Sequence, residues 1–317
     1  MQVLFQKPNF RKLKKQGLMA VDMHLHSSYS DSTTTVKLLL QRARMLNIGL
    51  AITDHNHILG NVKAYTKQNK VMIIPSIELT SIENIDIIPY FYNIKELVEF
   101  YNKYISKSKR PNRGFDFYKL KWTFAELIDH LKKYNCIINL PHPFAPYPKN
   151  AHSFLTRKEN QHLIKKIDCI EALNSLMTRD KNLKSIQWIK DLNKSFNGSS
   201  DGHTLFHIGK AVTISEGNDR ESFLDSIKKK KNFVMGEEVT GLSKAITSMV
   251  IMKNSIRLKI DEKSEEIRIK LKETKDDIKD KIIEKKDDFI DEFKETKDDF
   301  KEDIKGITDK FKGKKWF

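Results

Sequence analysis

Residues Val21 to Ser32 read VDMHLHSSYSDS, and the remainder of the chain is organised around them. The apolar run Leu18 to Met23 has the length and composition of a buried strand, with His24, His26 and Asp31 following at its end. Residues two apart in extended backbone project to one side, so His24 and His26 can reach one metal ion together. Asp31, one loop further on, is within reach of a neighbouring ion. An HxH pair alone also fits ordinary buried or surface histidines. Its weight comes from the same arrangement recurring at later strand ends.

Moving outward, Val36, Leu39, Leu40, Ala43 and Leu46 fall at helical spacing, and Asn47 to Gly49 supplies a helix stop. A strand over Gly49 to Thr53 delivers Asp54, His55, Asn56 and His57. A helix around Val62 to Gln68 leads to a strand over Val71 to Pro75 that runs out at Glu78, and the strand Ile85 to Tyr92 carries Asp86. An amphipathic piece (Glu96 to Ile105) and a basic loop, SKSKRPNRG, come next. Thr123 with Glu126 three residues later reads as a capping box opening a helix to about Tyr134. The strand Cys136 to Leu140 stops at Pro141, His142 and Pro143. A helix near Arg157 to Lys165 precedes the strand Ile167 to Leu173, with Glu171 and Asn174. A helix over Lys181 to Lys194 precedes Asp201, Gly202 and His203. The strand Ala211 to Ile214 and a helix near Arg220 to Lys229 complete the body.

Strands alternating with helices predict parallel strands joined by right-handed crossovers. About seven such units suit a barrel, where functional residues gather at the C-terminal strand ends. Those ends are where His24, His26, Asp31, His55, Glu78, Asp86, His142, Asp201 and His203 fall. Nine imidazoles and carboxylates without a cysteine form a hard-to-borderline donor set suited to Mn²⁺, Fe²⁺ or Zn²⁺. Nine ligands exceed what one ion uses, so two or three divalent ions are expected.

The motifs HLHSSYSDS, TDHN, PSIEL, LPHPF and SDGH followed by HIGKAVT resemble those of the PHP (polymerase and histidinol phosphatase) metallophosphoesterase family, over roughly residues 18–235. The resemblance implies a distorted (β/α)7, TIM-like barrel with a trinuclear site. It implies that His24, His26, Glu78 and Asp201 hold a first ion, that Glu78 bridges to a second shared with His142, and that Asp31, His55 and His203 hold the third. Family members often place a histidine where this chain has Asp86. An aspartate can still coordinate there, adding negative charge and shifting preference towards harder ions; the other reading is a polar strand-edge residue, with fewer protein ligands on the second ion. The implied reaction is metal-assisted hydrolysis of a phosphate ester, with Asp201 essential and His55 or His203, if not committed to an ion, protonating the leaving alkoxide. Arg157, Asn174 and Arg179 are candidate substrate-binding residues, although exposed charge at a loop and helix start explains them equally well.

The substrate class stays open between a small phosphorylated metabolite or nucleotide and, for a 3'-5' exonuclease, nucleic acid. A non-catalytic scaffold of the same fold is the third reading. A formal net charge of +16, with acidic and basic residues balanced at 19 each from Ser255 onward, puts the whole excess on residues 1–254 and suits phosphate-bearing ligands. Cys136 and Cys169, both in apolar runs, speak against a disulfide framework and for a cytoplasmic protein. No run approaches the ~20 apolar residues of a transmembrane segment, and no secretion signal is evident.

From Ile267 the chain repeats every eleven residues: KDDI at 275, KDDF at 286 and KDDF at 297. Apolar residues at 267, 271, 278, 282, 289, 293, 300, 304 and 311 alternate spacings of four and seven, the mark of a long amphipathic helix with a narrow stripe. Self-association as a coiled coil, contact with a membrane surface and a solvated tail are its three readings. The expected division is a basic segment over 1–17, the barrel over 18–237, a joining segment over 238–262 and the helical tail over 263–317.

Overall fold

The structure, a computed structural model, describes residues 1–67, 70–108, 119–254 and 256. The chain opens with β1 (Val3–Phe5), α1 (Phe10–Lys15), β2 (Met19–Leu25), α2 (Val36–Leu46), β3 (Gly49–Ile52) and α3 (Leu59–Thr66). Next come β4 (Leu79–Thr80), β5 (Asp86–Phe91), α4 (Ile94–Phe100), α5 (Phe124–Leu131) and β6 (Cys136–Leu140). The second half holds α6 (Ala151–Leu155), α7 (Gln161–Ile164), β7 (Cys169–Asn174), α8 (Arg179–Leu192) and β8 (Ser195–Ser199). It ends with β9 (Ala211–Ser215), α9 (Arg220–Lys228), β10 (Phe233–Gly236) and a helical stretch over 241–254.

Local signals explain many of these boundaries. Thr35 accepts from the Leu38 N–H at the start of α2, and Asn47 closes it in the left-handed conformation with φ 56°. Val36, Leu39, Leu40 and Ala43 bury the inner face between these caps. The Thr123–Glu126 capping box at α5 is present in both directions.

The sheet departs from the all-parallel barrel expected. Strands form two five-stranded sheets, ordered β1-β10-β9-β2-β3 and β4-β5-β6-β7-β8. Among the strands of the described residues, β1–β10, β2–β3, β6–β7 and β7–β8 pair in parallel, whereas β9 runs antiparallel to both β2 and β10, and β5 antiparallel to β4 and β6. Among the described residues, isolated bridges join the sheets rather than a closed ladder: Leu50 with Ile73 and Ser76 with Tyr90 at one seam, Leu25 with Gly202 at the other. The strand expected over Val71 to Pro75 is reduced to such bridges. Proline has no N–H to give a ladder, so Pro75 contributes only its carbonyl, which accepts from Phe91.

Two smaller departures have similar causes. Of the helix expected near Arg157 to Lys165 only α7 (Gln161–Ile164) is formed; α6 ends before it at Leu155, and Asn160 Nδ2 donates to the Phe154 carbonyl in the turn between them. Strand β8, SFNGS, carries little of the apolar signal that marks strands, yet pairs with β7 over five positions. Residues 1–17 are part of the fold, with β1 extending the first sheet beside β10. The helical tail expected over 263–317 lies outside the described residues.

Val21, Met23, Ala51, Ile74, Ile88, Tyr90, Ile137 and Cys169 form one buried cluster, closed by Phe223, Leu224 and Ile227 of α9. Tyr90 ties the strands together above it: its hydroxyl donates to the Met23 carbonyl at 2.8 Å and accepts from Asn139 and Asn197.

Candidate metal centre

Strand ends carry the polar residues to one place. His24 lies near the end of β2 and His26 directly follows the strand, and the loop after it brings back Asp31. His55 follows β3, and a bridge pairs it with Glu78, while Asp86 opens β5. His142 follows β6, and Asp201 and His203 follow β8. All nine are less than a tenth exposed. His142 (φ 27°), Asp201 (φ 51°) and Asn56 (φ 49°) take left-handed backbone that non-glycine residues seldom adopt. Such strain costs on the order of 1 kcal/mol each and persists only where surrounding structure enforces it.

The geometry is dense. His24 Nε2 and His26 Nε2 lie 3.2 Å apart. Glu78 Oε2 has His55 Nδ1 at 3.1 Å, His24 Nε2 at 3.4 Å and His26 Nε2 at 3.5 Å. Its other oxygen faces His142 Nε2 at 3.3 Å. Asp201 Oδ1 sits 3.5 Å from His24 and 3.4 Å from His26. Asp31 gathers His203 Nε2 at 3.2 Å, His55 Nε2 at 3.5 Å and His26 Nδ1 at 3.5 Å. Among the described residues, four sets have ligand atoms mutually close enough for a cation: His26, Asp31, His55 and His203; His24, His26 and Glu78; His24, His142 and Asp201; and His55, Glu78 and Asp86.

These donors fit divalent ions on two grounds. Ligands about 2.1 Å from one tetrahedral ion stand about 3.4 Å from each other, the spacing found here. Glu78 Oε2 is buried and accepts no hydrogen bond among the described residues, although three imidazole nitrogens surround it. An oxygen so placed is expensive to leave unsatisfied, and a cation satisfies it.

Electrostatics point the same way. Burial presses the His24 imidazolium down, but Asp201 and Glu78 outweigh it and hold the group well above its ordinary value of 6.5. His203, buried beside Asp31, is lifted to about 9. His26 goes the other way, pushed to about 4 by burial and by neighbouring His203. Burial alone would raise Asp31, Glu78 and Asp201, yet the imidazoles around each keep all three well below the usual carboxylate range. Protons and carboxylates thus alternate where cations and carboxylates would.

A second ring of residues fixes the first. Asp54 accepts from Ser27 N at 2.7 Å, Ser27 Oγ at 2.6 Å and Ser30 Oγ at 2.7 Å, anchoring the loop that presents Asp31. Glu171 accepts the His142 backbone N–H at 2.7 Å, takes a short hydrogen bond from Ser199 and lies 3.6 Å from His24 Nδ1. Asp22 accepts from Ser200 N and Oγ and from Gly209 N, setting the turn into Asp201. Asp54 and Glu171 were visible at strand ends in the sequence but carried no metal-ligand spacing. Their partners are serines and backbone amides, which leave no pattern.

The substrate-binding candidates fare differently. Asn174 is in the centre, its Nδ2 bridging Glu171 and Asp201 at 2.9 and 3.1 Å. Arg179 instead forms a two-pronged pair with Glu238 at 2.7 and 2.8 Å and stacks on Phe5, and Arg157 is exposed after α6. Neither lines the cleft over the centre. That cleft, about 530 Å³, is bounded by the ligand cluster, Pro146, Tyr147, Pro148, Lys149, Met177 and Ile251. Lys149 had no sequence signal, coming from an aperiodic loop. Ile251 belongs to the 241–254 helix, which Asn254 ties down by donating to the Asp31 carbonyl at 3.1 Å.

The PHP domain matches residues 22–234 of this sequence. The chain belongs to the PHP family. The uncharacterised protein MJ0417 of Methanocaldococcus jannaschii is 26% identical over 203 residues, spanning 63% of this chain and 72% of that protein. Among solved structures, the lesion-specific endonuclease PfuEndoQ from Pyrococcus furiosus superposes with a TM-score of 0.55 at 16% identity, covering 68% of this chain and 57% of that one. A two-domain protein from Bacteroides vulgatus containing a predicted PHP-like metal-dependent phosphoesterase gives 0.51 at 15% identity, covering 75% and 69%. These likenesses speak to the shared PHP fold. Among the described residues, no helix is long and apolar enough to cross a membrane.

Proposed function

We propose that this PHP protein is a metal-dependent phosphoesterase acting on a small phosphate ester, a phosphorylated metabolite or a nucleotide. The observation that carries the reading is the buried Glu78 carboxylate ringed by His24, His26, His55 and His142, with Asp31, Asp201 and His203 completing the cage. Divalent ions held there would supply a hydroxide at neutral pH and a clamp for phosphoryl oxygens. The eight imidazoles and carboxylates other than Asp86 are the proposed ligands.

The chain's own groups account for the remaining steps. His203 donates from Nδ1 to the Asp201 carbonyl at 2.8 Å, which fixes the ring and directs Nε2 towards Asp31. His203 or His55 can hold a proton for the leaving alkoxide only where its ring is not committed to an ion. Asn174 steadies Asp201 rather than touching substrate. A cleft of about 530 Å³, narrowed by Ile251, is of a size that small-molecule sites commonly have, which favours a compact ester over a nucleic-acid duplex. An endonuclease Q solved with a 27-mer duplex shares the fold and keeps nucleic acid as the alternative substrate class. Of the basic loop Lys107 to Arg113 that would bear on it, residues 109–113 lie outside the described residues.

A panel of phosphorylated metabolites, nucleotides and oligonucleotides with Mn²⁺ supplied tests the assignment. Asp201→Ala should lower turnover of any substrate found by at least about a thousandfold, since it removes a ligand reaching both His24 and His26. Turnover equal to that of the parent protein would remove the metal mechanism.

A further inference from the structure

Asp86 stands apart from the other candidate ligands. Its Oδ1 accepts from Thr80 Oγ1 at 2.6 Å, and its Oδ2 accepts from Lys149 Nζ at 2.8 Å. Both oxygens therefore already hold a protein donor, unlike Glu78 Oε2, which holds none among the described residues. The arrangement is built into the fold: Thr80 and Asp86 are register partners in the β4–β5 pair, so the hydroxyl is fixed opposite the carboxylate. The imidazole nearest Asp86 in the proposed second site, His142 Nε2, is 3.9 Å from Oδ2, further than any ring nitrogen stands from Glu78 in the contacts above. Lys149 reaches in from the cleft wall, its stem partly exposed and its ammonium against a carboxylate only 1% exposed.

An ammonium at hydrogen-bond distance offsets the charge of Asp86 and takes one of its two oxygens, Oδ2, while Thr80 takes the other. A divalent cation on the same oxygen would lie within a few Å of that fixed positive charge, and the repulsion is strong in so buried a place. An ammonium has three donors, and Asp86 is the one side-chain partner of Lys149 among the described residues. The other two donors are available to phosphoryl oxygens in a cleft that Lys149 shares with Glu78, His55 and His142.

We infer that Lys149 stands in for the second ion of a three-ion centre: Asp86 holds an ammonium instead of a metal, and that ammonium binds the substrate's phosphoryl oxygens. Resting on the phosphoesterase reading, this makes Lys149 a substrate-binding residue and the centre one of two ions plus a fixed organic cation. Charge at the phosphate is then supplied partly by a group that cannot be chelated away.

The test is metal content of the full-length chain after loading with excess Mn²⁺ and desalting, read by inductively coupled plasma mass spectrometry, together with inorganic phosphate affinity by calorimetry. The parent protein should carry two ions per chain. Lys149→Met with Asp86→His should carry three, whereas Lys149→Met alone should weaken phosphate binding at least tenfold. Lys149→Arg should keep two ions and recover most of that affinity. Three ions in the parent protein would overturn the inference, as would unchanged phosphate affinity in a folded Lys149→Met. If the methionine variant fails to fold, the parent ion count and the arginine variant decide alone, and more than two ions in either overturns it. A parent protein that binds no ions at all would instead sink the phosphoesterase reading beneath it.

Discussion

His203 shows how a single residue reports on the centre. Burial opposes its positive charge, and Asp31, then Asp201, more than compensate, placing it near pH 9 instead of 6.5. A raised imidazolium stabilises the fold fully below its unfolded value and loses that contribution as pH climbs through the folded one. For His203 the contribution is on the order of 3 kcal/mol, lost between about pH 6.5 and 9. His24, His55 and His142 are shifted in the same direction, while His26, held near 4, titrates below this window. Chelated protein should therefore melt at progressively lower temperature from pH 6.5 to 9. Mn²⁺-loaded protein should not, because the ions replace the protons, and loading should release protons to the buffer. Melting curves at a series of pH values, with and without chelator, check both; a flat profile in the chelated protein contradicts the account.

Elements matter here through how they hold loops. Gly60, near the start of α3, packs so tightly that a Cβ there would lie 2.0 Å from Asp54 Oδ2 and 2.6 Å from Ser27 Oγ. Gly60→Ala should displace Asp54, release Ser27 and Ser30, and so loosen Asp31. Calorimetric Mn²⁺ titration should show affinity at the Asp31–His55–His203 group falling at least about tenfold, as when outer-shell partners of metal ligands are lost. Thr123→Ala gives the contrasting case. Losing the α5 cap should cost about 1 kcal/mol and about 2–4 °C in melting temperature, with metal content unchanged. A drop in bound Mn²⁺ in that variant would mean that α5 influences the centre in a way its position does not suggest.

At the scale of the molecule, every residue of the cage lies between His24 and His203, and the cleft takes one further wall from the helix over 241–254. That helix turns Asn254 and Thr247 inward and leaves Leu242, Ile246, Met249 and Met252 exposed. Cutting the chain after residue 262 keeps all of this. The truncated protein should retain its Mn²⁺ content and turn over the substrate within about twofold of the full chain, measured side by side. A loss of bound metal would show that the repeat segment supports the centre. The same preparation, compared by sedimentation and by vesicle flotation, separates the self-association and membrane-surface readings of the repeat.

Much of the centre was legible because ligand chemistry is local in the chain. HxH at a strand end, an aspartate one loop on, and a histidine or acid beside several later strands are short patterns that can be read from the chain itself. The helices α2 and α5 were equally readable from their caps and apolar spacing. The mixed direction of the strands, the single bridges where Pro75 interrupts the sheet, and β8 with its small polar residues were not, because pairing partners lie tens of residues apart. For the same reason Arg179 was read as facing substrate, when Glu238, fifty-nine residues later, holds it at the surface. Lys149 is the clearest case: nothing in its neighbourhood marks it, and only the folding of its loop over β5 sets its charge against Asp86. Sequence determined which atoms could bind a cation; tertiary structure decided which charges already have a partner, since that depends on distance in space and not along the chain.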